Sequence, residues 1–100
     1  LARHYAPKTT TYLVDDVASE IQKHNDKKIG VLVFNSSVNN NEITEIILSK
    51  NNSMQEAATN LYNAMHTLDS QNLDIIIAER FPNNGLGKSI NDRLQRATFK

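Results

Sequence analysis

Two apolar runs decide what this chain can become. Ile29 to Phe34 is Ile-Gly-Val-Leu-Val-Phe without a polar residue, and Leu73 to Ala78 is broken only by Asp74. A strand with one wet face alternates polar and apolar residues. A short run without alternation needs cover on both faces, the condition met by strands of a parallel sheet with helices packed on either side. At 100 residues the chain is one domain, able to bury roughly two thirds of its unfolded surface in one modest core.

The remaining elements fit around those runs. Thr9 to Val14 is β-branched and aromatic and reads as a first strand. Asp15 or Asp16 can cap a helix to about His24, with Val17, Ala18 and Ile21 on its buried side. Ile43 to Leu48 is β-rich but interrupted by Glu45, which suits a short or edge strand. Ser53 to Asp69 is the strongest helix. Ser53 and Glu56 have capping-box spacing, and Met54, Ala57, Ala58, Leu61, Met65 and Leu68 form one stripe extended by Tyr62. Glu79 to Leu86 reads as a loop. Gly87 or Lys88 to Thr98 reads as a last helix, with Ile90, Leu94 and Ala97 on one face. The order β-α-β-β-α-β-α predicts a small α/β, Rossmann-like layer sandwich: a mostly parallel sheet of about four strands with helices on both faces.

Charge and composition remove several function classes. Eleven Lys and Arg balance eleven Asp and Glu, which gives no basic field for nucleic acid and none for anionic membranes. Without cysteine there is no disulfide scaffold or thiolate zinc site. No apolar stretch is long enough to span a membrane, and no signal-peptide pattern is present. The first residue is Leu1, so the natural chain is expected to begin further upstream. Thirteen asparagines cluster at Asn39–Asn41, Asn51–Asn52 and Asn83–Asn84; asparagine adopts turn conformations cheaply, and these clusters read as loops.

Few residues carry an obvious chemistry. Pro82-Asn-Asn-Gly-Leu-Gly-Lys-Ser89 follows a buried strand and opens a helix, as a phosphate loop does. Gly87-Lys88-Ser89 match that pattern, but Pro82 stands where the first glycine belongs and has no N–H to give a phosphate. The expected reading is a glycine-bearing turn with an exposed lysine. His4, His24 and His66 lack metal-ligand spacing. Glu79 ends a buried strand, where ligands bind in open α/β sheets, but Arg80 and Arg93 are expected to pair with it. Ser36-Ser37 has no nucleophile elbow. The densest cluster is Arg3-His4-Tyr5, a cation, an imidazole and a phenol followed by Pro7. Such a segment is poor for building a core and good for gripping an anionic or nucleotide-like ligand.

Arg3-His4-Tyr5-Ala6-Pro7-Lys8 resembles the linker of two-domain threonylcarbamoyl-AMP synthases. There a Gly-Met-x-x-Arg-His-Tyr-x-Pro segment joins a YrdC-like catalytic domain to a smaller Rossmann-like C-terminal domain. Leu61-Tyr62, Leu68-Asp69, Asp74 to Glu79, Gly85-Leu-Gly87 and Ile90-Asn-Asp-Arg-Leu94-x-Arg-Ala97 look like the second half of that C-terminal domain in order and spacing. Leu1-Ala2 depart from a Lys-Tyr pair common at that place.

The resemblance implies a linker at residues 1–8 and an accessory domain at 9–100, with the catalytic domain upstream in the same chain. The full enzyme condenses threonine, bicarbonate and ATP into threonylcarbamoyl-adenylate for tRNA threonylcarbamoyladenosine modification. Arg3, His4 and Tyr5 then become residues of a lid over the catalytic site. Glu79, Gly85, Gly87, Asp92 and Arg93 match family positions and are expected to brace the fold or its contact with the other domain. ATP and magnesium belong to the catalytic domain, so this segment needs no cofactor and is expected to be inactive alone. The implied setting is cytoplasmic, with other tRNA threonylcarbamoyl-transfer proteins as further partners. The competing readings are a free-standing small-ligand or nucleotide-binding module and a pure interaction or dimerisation domain.

Overall fold

The structure is a computed structural model and describes residues 6–98. Its elements are β1 (Thr10–Val14), α1 (Val17–Gln22), β2 (Ile29–Val33), β3 (Thr44–Ile47), α2 (Met54–Asp69), β4 (Ile75–Glu79) and α3 (Gly85–Ala97). The four strands form one sheet in the order β1-β4-β2-β3, and every pairing is parallel. Thus the two apolar runs lie side by side in the middle, with Ile29 opposite Ile75 and Leu32 opposite Ala78. The interrupted segment takes an edge, as expected for β3. Glu45 has a structural use there: its side chain accepts a hydrogen bond from the Val38 N–H at 2.8 Å.

Alternation along β4 sorts the core into two layers. Ile76 and Ala78 face α2 and α3, packing with Leu61, Leu68, Ile90 and Leu94. Ile75 and Ile77 face the other way, with Val17 and Ile21 of α1 and Val31 and Val33 of β2. Helices therefore cover both faces. Each fully buried leucine or isoleucine in these layers contributes about 2 kcal/mol, so the central strands and the α2 stripe dominate the packing.

The helix starts follow the sequence with two changes. Asp16 caps α1, its carboxylate accepting from the Ser19 N–H. Ser53 caps α2 through the Glu56 N–H, but the return half of the expected capping box goes elsewhere. The Ser53 N–H donates to Ser49 Oγ, and that hydroxyl donates to Glu56, so buried Ser49 stands between the two partners. The second change is at α3, which starts at Gly85 rather than Gly87 or Lys88 because Asn84 takes the N-cap position. The asparagine clusters fall at turns: Asn39 and Asn52, with Asn72, have φ of 54°, 60° and 56°. Among the described residues no helix is long and apolar enough to cross a membrane.

Candidate functional site

The segment that enters the fold is fastened before β1 begins. Pro7 is fully buried. The Lys8 N–H donates to Asp69 Oδ2 at 3.1 Å, and the Thr9 N–H donates to Asp69 Oδ1 at 3.0 Å. The Thr9 hydroxyl adds a third bond to Oδ1 at 2.8 Å. One half-buried carboxylate at the end of α2 thus holds two successive backbone amides. Both bonds are charge-assisted, the stronger class of hydrogen bond, and both act on the backbone itself. Arg3, His4 and Tyr5, the expected lid residues, lie outside the described residues.

The other expected residues do not converge on one pocket. Glu79 closes β4, half-buried, and its Oε1 accepts the Phe34 N–H at 2.8 Å. The expected ion pair with Arg80 or Arg93 is not made. Arg80 reaches Asp15 from its Nε at 3.0 Å, and Arg93 lies over the Tyr62 ring, 5.6 Å from its centre. The reason is local. The Phe34 N–H lies just past the end of β2, and the neighbouring glutamate at the end of β4 satisfies it. Asp92 makes an exposed pair with Lys88 at 3.5 Å, one helical turn apart.

The glycines at the start of α3 have distinct tasks. Gly85 has φ +52°, a conformation that costs other residues energy. Gly87 is buried, and a Cβ there would sit 2.0 Å from the Pro82 carbonyl oxygen. The turn is closed on itself: the Asn84 N–H donates to Pro82 O, and the Gly87 and Lys88 N–H groups both donate to Asn84 O. The Asn84 and Gly87 N–H groups are thereby spent within the turn, and Pro82 has no N–H to offer a phosphate. Nor do the described residues offer a group of three or more His, Asp or Glu that could hold a metal ion.

Three residues with structural tasks escaped sequence reasoning. Asn91 sits on the buried stripe of α3 beside Ile90, and a polar residue in an apolar stripe was a visible signal. Asp69 ends a helix, where a carboxylate opposes the dipole, also visible as an anomaly. Ser49 gave no signal. His24 lies just past α1, bonded to Glu20 at 3.0 Å and stacked on Tyr12 at 5.2 Å.

Comparison with known proteins places this geometry. The model of the threonylcarbamoyl-AMP synthase C-terminal domain family matches residues 1–98. The chain is 30% identical over 106 aligned positions to the threonylcarbamoyl-AMP synthase of Pyrococcus abyssi, covering 96% of this chain and 30% of that protein. It is 27% identical to the Bacillus subtilis enzyme of the same name, covering 94% and 29%. The chain thus spans about a third or less of these curated relatives. Among solved structures, it superposes on P. abyssi Sua5 complexed with L-threonine with a TM-score of 0.77 and 29% identity, covering 97% of this chain and 30% of that one. It also matches the C-terminal Sua5 domain from Pyrococcus horikoshii, with a TM-score of 0.61 and 27% identity, covering 90% and 93%. With its whole described fold inside that match, the chain belongs to the threonylcarbamoyl-AMP synthase C-terminal domain family.

Proposed function

We propose that this chain is the accessory C-terminal domain of a threonylcarbamoyl-AMP synthase, and that residues 1–8 link it to a catalytic domain upstream. The observation that carries this reading is the family match, which runs through residues 1–8 as well as through the sheet. The catalytic domain makes threonylcarbamoyl-adenylate from threonine, bicarbonate and ATP, and holds ATP and magnesium. The product supplies tRNA threonylcarbamoyladenosine modification, whose other transfer proteins are its further partners, in the cytoplasm. This domain's part is mechanical. It supports Arg3, His4 and Tyr5 as a lid that keeps water from a labile mixed anhydride, with Arg3 meeting phosphate charge. Glu79, Gly85, Gly87, Asp92 and Arg93 serve the fold or its contact with the catalytic domain.

The test compares product formation from ATP, threonine and bicarbonate by the full-length protein and by residues 1–100 alone. Turnover by the full protein and none by the fragment is expected. Appreciable turnover by the fragment would overturn the reading. In the full protein, Arg3→Ala is expected to reduce turnover without unfolding this domain. The free-standing nucleotide-binding alternative is weakened at the start of α3, where Pro82 replaces the first glycine of a phosphate loop and the Asn84 and Gly87 N–H groups bond within the turn.

A further inference from the structure

Of the thirteen asparagines in the chain, Asn84 alone precedes a glycine. An asparagine side chain is a slow electrophile toward the backbone nitrogen of the next residue. A Cβ on that residue crowds the attack, and glycine has none. Asn84 is exposed, has extended backbone and occupies the N-cap position of α3. A capping asparagine normally accepts a backbone N–H with its side chain. Asn84 does not, and its side-chain amide makes no hydrogen bond among the described residues. The Gly85 N–H is equally uncommitted. Gly85 is exposed, and a Cβ built on it would meet nothing within 4 Å. Electrophile, nucleophile and open space thus meet at one peptide bond. The nearest rivals are tied down. Asn35 and Asn52 precede serines, but their amide groups bond to each other at 3.0 Å. Asn91 is buried and bonded twice to Phe81.

We infer that Asn84 is a site of spontaneous deamidation through Gly85, and that the reaction rewrites the start of α3. The Gly85 nitrogen gives up its proton and attacks Asn84 Cγ. The new N–C bond closes a succinimide ring, and the side-chain NH2 leaves as ammonia with that proton. Water then opens the ring. Breaking the bond from nitrogen to Cγ gives aspartate on the original main chain. Breaking the bond from nitrogen to the main-chain carbonyl carbon gives isoaspartate, whose main chain runs through Cγ and is longer by a methylene. Either product adds a negative charge to a chain of zero formal net charge. The two act in opposite directions on the helix. An aspartate at the N-cap meets the positive end of the helix dipole. Isoaspartate instead turns the Asn84 carbonyl, which accepts the Gly87 and Lys88 N–H groups, into a free carboxylate. Its longer chain also displaces Gly87, which has no room for even a Cβ against the Pro82 carbonyl. Those two bonds to Asn84 O, at 2.9 and 3.4 Å, hold the Asn84–Gly85 peptide and slow the rotation that attack requires. The folded protein therefore reacts more slowly than the unfolded chain.

The experiment ages the full-length folded protein in mildly alkaline buffer beside a sample unfolded in urea. Trypsin releases Phe81–Lys88 as one peptide, cutting after Arg80 and after Lys88. Mass spectrometry reads the mass gain of an NH2-to-OH exchange, and fragmentation assigns it to Asn83 or Asn84. An isoaspartyl methyltransferase with labelled S-adenosylmethionine identifies the isoaspartate product in that peptide. The folded protein is expected to gain mass at Asn84 within about tenfold of the rate in urea, because opening an exposed turn costs little. Isoaspartate should be among the products. Gly85→Ala should slow the gain by about tenfold or more. Asn84→Ser keeps a capping residue and should abolish the gain in this peptide; it serves where Gly85→Ala fails to fold. In the isoaspartate fraction, hydrogen exchange at the Gly87 and Lys88 amides should be faster by about tenfold or more. Asn84→Asp, which carries the other product, should keep both amides protected. A folded protein that stays unmodified while the urea sample converts would overturn the proposal. So would a gain that survives Asn84→Ser, or one that Gly85→Ala does not slow. Equal protection in the isoaspartate fraction and in Asn84→Asp would overturn the claim that the reaction rewrites the turn.

Discussion

Asn91 and Phe81 hold each other twice. The Phe81 N–H donates to Asn91 Oδ1, and Asn91 Nδ2 donates to the Phe81 carbonyl, each at 2.8 Å and each buried. One side chain thus imitates a strand partner for the residue just past β4 and ties α3 to it. Asn91→Leu keeps the volume but leaves a buried N–H and a buried C=O without partners. Each orphan costs about 1–3 kcal/mol, so a loss of about 2–4 kcal/mol is expected in urea denaturation. Asn91→Asp keeps the acceptor and loses the donor, and should also be destabilising. A loss below about 0.5 kcal/mol for the leucine variant would show that water or a turn rearrangement replaces both bonds.

Glu79 separates a hydrogen-bond role from a charge role. Its carboxylate accepts the Phe34 N–H, with neither Arg80 nor Arg93 paired to it. A Glu79→Gln side chain keeps an acceptor oxygen of the same reach, and is expected to change stability by less than about 0.5 kcal/mol. Glu79→Ala leaves the Phe34 N–H unmet and should cost about 1–2 kcal/mol. Equal losses for both variants in denaturant titrations would restore the ion-pair explanation.

What the sequence disclosed depended on whether a residue's partner was local. The runs at β2 and β4 announce their position because burial on both faces removes alternation. Ser53 announces the start of α2 because its bonding partner is three residues away. Glu79, Asp69 and Asn91 answer to partners 45, 60 and 10 residues distant, and no spacing rule encodes such pairs. The resemblance at Arg3-His4-Tyr5 and Gly85-Leu-Gly87 led to the family, yet the clamp of Asp69 on Lys8 and Thr9 came only from the fold.

Gly85 and Gly87 should respond differently to the same change. Gly85→Ala places a Cβ in open space but in a left-handed conformation, for which about 1–2 kcal/mol is expected. Gly87→Ala drives a Cβ into the Pro82 carbonyl, and backbone must move. Its loss should be the larger, about 2–3 kcal/mol or more. Thermal unfolding of both variants orders them. If Gly85→Ala proved the more harmful, the close approach at Pro82 would not be what fixes the turn.

The pair at the end of α1 gives the domain a pH-dependent increment of stability. The hydrogen bond from His24 holds the Glu20 carboxyl below its ordinary value of 4.5, and Lys23 adds to this, against an opposing effect of burial. A carboxyl with a lowered folded-state pKa binds its proton less readily folded than unfolded. Its contribution is therefore complete above the ordinary value and is lost as the pH falls through the lower, folded value. Glu20→Gln should destabilise the domain at about pH 6, by less than about 1 kcal/mol because the pair is near the surface. The difference from wild type should shrink as the pH falls below 4.5, where the unfolded state takes up its proton first. Urea midpoints for the two proteins at those pH values test this. A difference that stayed constant or grew on acidification would mean that Glu20 acts through packing rather than through its charge.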